Sequence, residues 1–166
     1  MPYKPSHVAN SFLVRANKEG IEIDHLKIQK LVYFFHGWFL AVRNDPGVGE
    51  YFEAWRYGPV LPSLYQAFKT NGSRPIEGYA TDLDQETGEY RALMISSEDK
   101  RFTEVFEPVW ERYKGLGGLQ LSSLTHATGT PWRLARDRGD VYVSNEDIRT
   151  YFRDLVLAEK PSQAAS

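Results

Sequence analysis

No cysteine occurs among the 166 residues, so the chain can build neither a disulfide framework nor a thiolate metal site. That usage fits a reducing compartment. No apolar run approaches the ~20 residues that a membrane-spanning helix needs, since Leu31 to Val42 is interrupted by His36 and Gly37. The opening Met1-Pro2-Tyr3-Lys4-Pro5-Ser6-His7 has no apolar core of a secretory signal. A soluble cytoplasmic protein without a membrane partner is expected. Net charge is also nearly absent, at −2 with a pI of about 6.1, so no global field draws the chain to nucleic acid. The four histidines, His7, His25, His36 and His126, include no pair three or four residues apart, which removes a helix-borne zinc pair. Gly115 to Gly118 lacks the Gly-Lys-Ser/Thr ending of a phosphate loop. Asp82, Asp84 and Glu86 begin like a calcium loop, but Thr87 and Leu93 stand where an EF-hand needs glycine and glutamate. No metal or cofactor is expected.

Aromatic side chains are abundant instead. Twenty-three of them exceed the needs of a core this size, and tyrosine and tryptophan on a surface favour a protein partner. Charge is unevenly spread: residues 74–111 carry ten acids and four bases, whereas 112–138 carry five bases and one acid. Such runs read first as solvated faces and second as steering patches for a charged protein. Arg133, Arg136 and Arg138 lack the interleaved aromatics of a nucleic-acid groove.

Periodicity predicts an α+β, predominantly helical bundle. Ser6 is placed to cap a helix over 6–18 that stops at Gly20. Asp24 opens a central buried helix over 24–43, in which Ile28, Leu31, Val32, Phe35, Trp38, Phe39 and Val42 recur at helical spacing. Lys27 and Lys30 sit in its first turns, where the helix dipole disfavours cations, so they are expected to reach outward. Segments 51–57, 78–83 and 90–95 read as a small antiparallel sheet, the last two flanking a polar turn that ends at Gly88. Ser97 is placed to cap a helix reaching Lys114, kinked or divided at Pro108. Shorter helices follow at 120–128 and 132–138, then a capping-box start at Ser144 with Asp147. One domain over 1–160 and a flexible tail over 161–166 are expected.

The most informative segment is Phe52 to Tyr65. Aromatic β-formers lead to Gly58-Pro59, which is expected to end the strand, and Pro62 opens a short helix with Leu64 and Phe68 on one face. By itself this reads as a strand-turn-helix corner. Ser122 and His126, four apart on a helix, meet the minimum spacing for a Ser-His nucleophile, but no third orienting group is evident. His126 reads more simply as a structural imidazole holding the loop that carries Trp132.

Three blocks in order resemble the Panacea domain family, found in antitoxins and phage-associated proteins, with SocA-type antitoxins as a branch. Lys27-Ile28-Gln29-Lys30-Leu31-Val32-Tyr33-Phe34 is similar to its K-L-Q-K-L-L-Y-Y signature. Phe52-x-Ala54-Trp55-x-x-Gly58-Pro59-Val60-x-Pro62-x-Leu64-Tyr65 is similar to its F-x-A-W-x-x-G-P-V-x-P-x-x-Y signature. Leu121-Ser122-x-Leu124-Thr125-His126 followed by Pro131-Trp132 resembles its L-S-x-x-T-H…P-W ending. The resemblance implies a non-enzymatic antitoxin that neutralises a cognate toxin by direct protein contact. For the SocA-like branch it further implies presentation of the toxin to an ATP-dependent protease such as ClpXP. Lys27, Gln29 and Lys30, with Trp55, Arg56 and Tyr57, are the candidate partner face. Leu31, Tyr33, Gly58, Pro59, Pro62, Tyr65, Thr125, His126 and Trp132 are matched motif positions with scaffold roles. Two other readings stay open: a phage or host regulatory module without a toxin, and a hydrolase or transferase using His126.

Overall fold

The centre of the computed structural model, which describes residues 1–159, is helix α2, His25–Arg43. Asp24 caps it by accepting the Lys27 amide, and Asn44 ends it in the left-handed conformation. Every residue from Lys27 to Gly37 is buried. A helix covered on all sides needs neighbours on all sides, and α2 packs against α1 (Pro5–Glu19), α4 (Lys100–Tyr113), α5 (Gly118–His126) and α7 (Asn145–Glu159). The α7 contact depends on Gly37, where a Cβ would lie 2.2 Å from a ring carbon of Phe152. The apolar stripe is shorter than its period predicts: Val42 is 57% exposed, because the last turn of α2 runs past the core.

The helix starts differ from expectation in an instructive way. Helix α1 begins at Pro5, whose missing N–H is an orphan in the first turn, and Ser6 instead donates to Asp82. Helix α4 is capped by Asp99, not Ser97, and runs undivided through Pro108. Pro108 lies on the solvent face, so the carbonyl freed by its missing N–H meets water. Its opposite face stacks Phe102 on Phe106 and brings Phe106 to 4.7 Å from Phe12. Helix α6, Pro131–Arg138, follows a Thr130 cap, and Ser144 accepts the Asp147 amide at the start of α7.

The strands form two separate two-stranded sheets, not one three-stranded sheet. Strand β1, Glu53–Trp55, pairs antiparallel with β2, Gly58–Val60, across a two-residue turn at Arg56-Tyr57. Gly58-Pro59 therefore lies inside a strand and does not end the ladder. Pro59 is tolerated because it opposes Ala54, whose own N–H points the other way, to Val141. That is a position where no cross-strand bond is needed. Helix α3, Pro62–Phe68, follows at once, with Leu64 and Phe68 buried. The second hairpin is reduced to β3, Asp82–Leu83, and β4, Tyr90–Arg91, around a turn in which Asp84 accepts the Glu86 amide. It docks on α1 instead of β1: Asn10 donates to the carbonyls of Ala80 and Leu93 and accepts the Ala80 amide. One side chain thus supplies the bonds a third strand would have made. The tail over 161–166 lies outside the described residues.

Candidate partner-binding site

The three sequence blocks meet at the β1–β2 hairpin. Its backbone carbonyls are taken one after another by side chains from three different helices. Trp132 Nε1 of α6 donates to the Trp55 carbonyl at 2.6 Å and Arg136 to that of Ala54 at 3.1 Å. Ser122 of α5 donates to Tyr57 at 2.6 Å, and Lys30 Nζ of α2 to Pro59 at 3.2 Å. Gln29 completes the set with two bonds to Leu61: Nε2 donates to its carbonyl at 3.0 Å and Oε1 accepts its amide at 2.9 Å. Buried backbone groups without partners are costly, and this hairpin finds them in side chains because it is too short to find them in a sheet.

The expectation that Lys27 and Lys30 reach outward is corrected. Lys30 is fully buried, Gln29 is buried, and Lys27 turns inward to the Lys114 carbonyl at 2.6 Å, just past the end of α4. A helix C-terminus is a favourable place for a cation. Lys30 has no such help: burial alone pushes its amine down to about 7. Gly58 is what admits it. A Cβ there would lie 2.7 Å from Lys30 Cε and 2.8 Å from Thr125 Oγ1, and the backbone holds φ at +115°. The signal was present in the spacing: Lys27, Lys30, Leu31 and Phe34 recur at threes and fours, so both lysines continue the buried stripe.

Leu31 and Tyr33 lie in the core, with Tyr33 edge-on to Phe52. Pro62 opens α3, and Tyr65 packs between His25 and Trp55 at ring distances of 5.1 and 5.0 Å. Thr125 donates to the Ser122 carbonyl. His126 stacks on Trp132 at 4.0 Å and 15°. The Ser-His pair is not assembled, because the Ser122 hydroxyl is spent on Tyr57. Burial, with Lys30 nearby, keeps the His126 imidazole below its ordinary range. Among the described residues no cluster of three or more His, Asp or Glu could hold a metal, and no helix is long and apolar enough to cross a membrane.

What the clamped hairpin leaves to solvent is its turn and outer face. Arg56 is exposed, Tyr57 is 58% exposed, and Trp55 is half-buried. Arg56 stacks over the Tyr57 ring at 5.5 Å. The arrangement offers large rings and a guanidinium on a backbone whose carbonyls are bonded by side chains of three helices.

Comparison with known proteins agrees with this reading of the blocks. Residues 28–133 match the family described as Antitoxin SocA-like, Panacea domain. A curated relative, Antitoxin SocA of Caulobacter vibrioides (strain NA1000 / CB15N), is 37% identical over 125 residues. That stretch covers 75% of this chain and 66% of the relative, so the chain spans just under two thirds of the relative's length. No solved structure matches. With the match running through the helix, hairpin and loop that build the clamp, the chain belongs to the SocA-like Panacea-domain family.

Proposed function

We propose that this protein is an antitoxin that neutralises a protein toxin by direct contact, with the β1–β2 turn at the centre of the interface. The observation that carries the reading is the family match through all three blocks, together with a relative named as an antitoxin. The geometry supports it. Trp, Tyr and Arg are the residues that dominate binding energy when rigidly presented, and Trp55, Arg56 and Tyr57 stand on a hairpin tied down by three helices. Gln29 and Lys30 serve that face from beneath, by holding it, whereas Lys27 is spent on the end of α4. The role is that of a non-enzymatic regulator, acting in the cytoplasm either by covering the toxin or by delivering it to an ATP-dependent protease such as ClpXP.

The test is paired expression. The product of the adjacent gene is induced alone and together with this protein, and complexes are recovered by pull-down. Growth arrest relieved by co-expression, with co-purification at constant toxin level, is the outcome expected for covering. Relief with a toxin level that falls only when the protease is present identifies delivery. No toxicity from either neighbouring gene would sink the antitoxin reading. Alanine at Trp55, Arg56 and Tyr57 is expected to weaken the complex at least about a hundredfold while the protein stays folded.

A further inference from the structure

The outer face of the β1–β2 hairpin carries a carboxylate that the fold does not use. Along β1 the side chains alternate: Phe52 and Ala54 point into the core, whereas Tyr51, Glu53 and Trp55 point out. Residues 141–143 lie beside β1 as a short third segment, with the Ala54 amide donating to Val141 and the Val143 amide to Phe52, both at 2.8 Å. Those two bonds flank the Glu53–Tyr142 bridge, so this pair is the closely spaced, non-hydrogen-bonded kind and its side chains share a face.

Glu53 therefore sits in an aromatic frame. Tyr142 is directly opposite, Tyr51 and Trp55 are two positions away on either side, and the Tyr51 and Tyr142 rings are 6.2 Å apart. Tyr65 closes the far end against Trp55. Tyr51 and Tyr142 are 63% and 57% exposed, so the frame is open to a partner. Among the described residues, no hydrogen bond or ion pair reaches the Glu53 carboxylate. The nearby cations are engaged elsewhere: Arg136 on the Ala54 carbonyl and the Trp132 ring, and Arg56 over Tyr57. Scattered tyrosines on a surface need no explanation, but three exposed tyrosines and a tryptophan around one unpaired carboxylate form a patch with a definite chemistry.

We infer that this face is the seat of an arginine side chain presented by the protein partner. A guanidinium is flat, stays charged, stacks on aromatic rings and forks onto a carboxylate, so it satisfies both elements of the frame at once. The inference rests on the antitoxin reading for who the partner is, but not for where the arginine sits. It extends the interface from the turn along the strand and gives the partner's contact segment a positive charge.

Two arms test it on the full chain. The first titrates N-acetyl-argininamide into isotopically labelled protein and follows amide shifts by NMR. Shifts concentrated at 51–55 and 141–143, absent with N-acetyl-glutaminamide and lost in Glu53→Gln, are expected. An equal response to the glutamine compound, or no response on this face, overturns the inference. The second arm measures the affinity of the adjacent gene's product by calorimetry. Glu53→Lys is expected to weaken it at least about tenfold and Glu53→Gln less, with a shallower salt dependence. Tyr142→Ser keeps the fold, since the ring is exposed, and is expected to weaken the complex too. Glu86→Gln, on the other hairpin, is expected to change nothing. Unchanged affinity in Glu53→Lys with growth rescue intact overturns the arginine seat and leaves the antitoxin reading standing. If no neighbouring product is toxic, the antitoxin reading fails, and the first arm decides the seat by itself.

Discussion

Replacing Lys30 with methionine is expected to remove most of the alkaline rise in this protein's stability. The wild-type ammonium is fully buried, its one acceptor is the Pro59 carbonyl at 3.2 Å, and no counter-ion reaches it among the described residues. Desolvation lowers its pKa from the usual 10.5 to about 7. In the unfolded chain the amine keeps its proton to pH 10.5, so between pH 7 and 10 the unfolded state binds more protons than the folded state. Stability must therefore rise with pH across that window, by about 3.5 kcal/mol between pH 7 and 10 if Lys30 acts alone. Methionine has nearly the same length and no proton to lose. The buried tyrosines Tyr33 and Tyr113, held above their ordinary range, oppose the rise near pH 10, but they are common to both proteins and cancel in the difference. The assay is urea unfolding of both proteins at pH 7, 8, 9 and 10. A wild-type advantage over the variant that grows with pH supports the argument. Parallel curves would refute it, because they would mean that Lys30 keeps an ordinary pKa and is reached by water.

Three further perturbations follow from the same clamp and core. Gln29→Leu leaves the Leu61 amide unpaired in the interior, while its carbonyl keeps only the Tyr65 amide, and is expected to cost about 2 kcal/mol, read as a lower urea midpoint. Gly58→Ala forces a Cβ against Lys30 Cε and Thr125 Oγ1 at a φ of +115°, and is expected to cost about 3 kcal/mol, with a matching fall in melting temperature. His36 is buried, receives the Val48 amide on Nδ1 and bonds Asn145 through Nε2, so it is held neutral with its pKa lowered to about 4. The unfolded imidazole takes its proton near pH 6.5 and the folded one refuses it. Stability should therefore fall by about 2 kcal/mol between pH 6.5 and 4.5 from this residue alone. A flat urea midpoint over that range would contradict the neutral assignment.

Much of the helical framework was legible in the chain. Helix α2 announces itself through an Asp cap, an unbroken apolar period and an Asn-Asp-Pro-Gly stop, all of them local signals acting within one or two turns. The short helix after Pro62, the helix stop at Gly20 and the Ser144 start are legible for the same reason. The candidate site was only half legible. Trp55, Arg56 and Tyr57 were placed together because they are adjacent, and Arg56 and Tyr57 are exposed at the turn with Trp55 half-buried beside them. The direction of Lys27 and Lys30 was misread from helix-dipole reasoning, which knows the polarity of the helix but not what stands beside it.

By itself, the sequence determined the periods, the caps and the order of the three blocks, because those depend on neighbours within a few residues. Only the tertiary structure decided that two lysines and a glutamine turn inward, that Gly58-Pro59 continues a strand, and that Glu53 faces outward unpaired among tyrosines. The outcomes for the lysines and for Glu53 depend on acceptors and rings brought from 29 to 89 positions away: Pro59 for Lys30, Lys114 for Lys27, Tyr142 for Glu53. A buried polar group goes where its partner is, and no local pattern records where a distant carbonyl will lie.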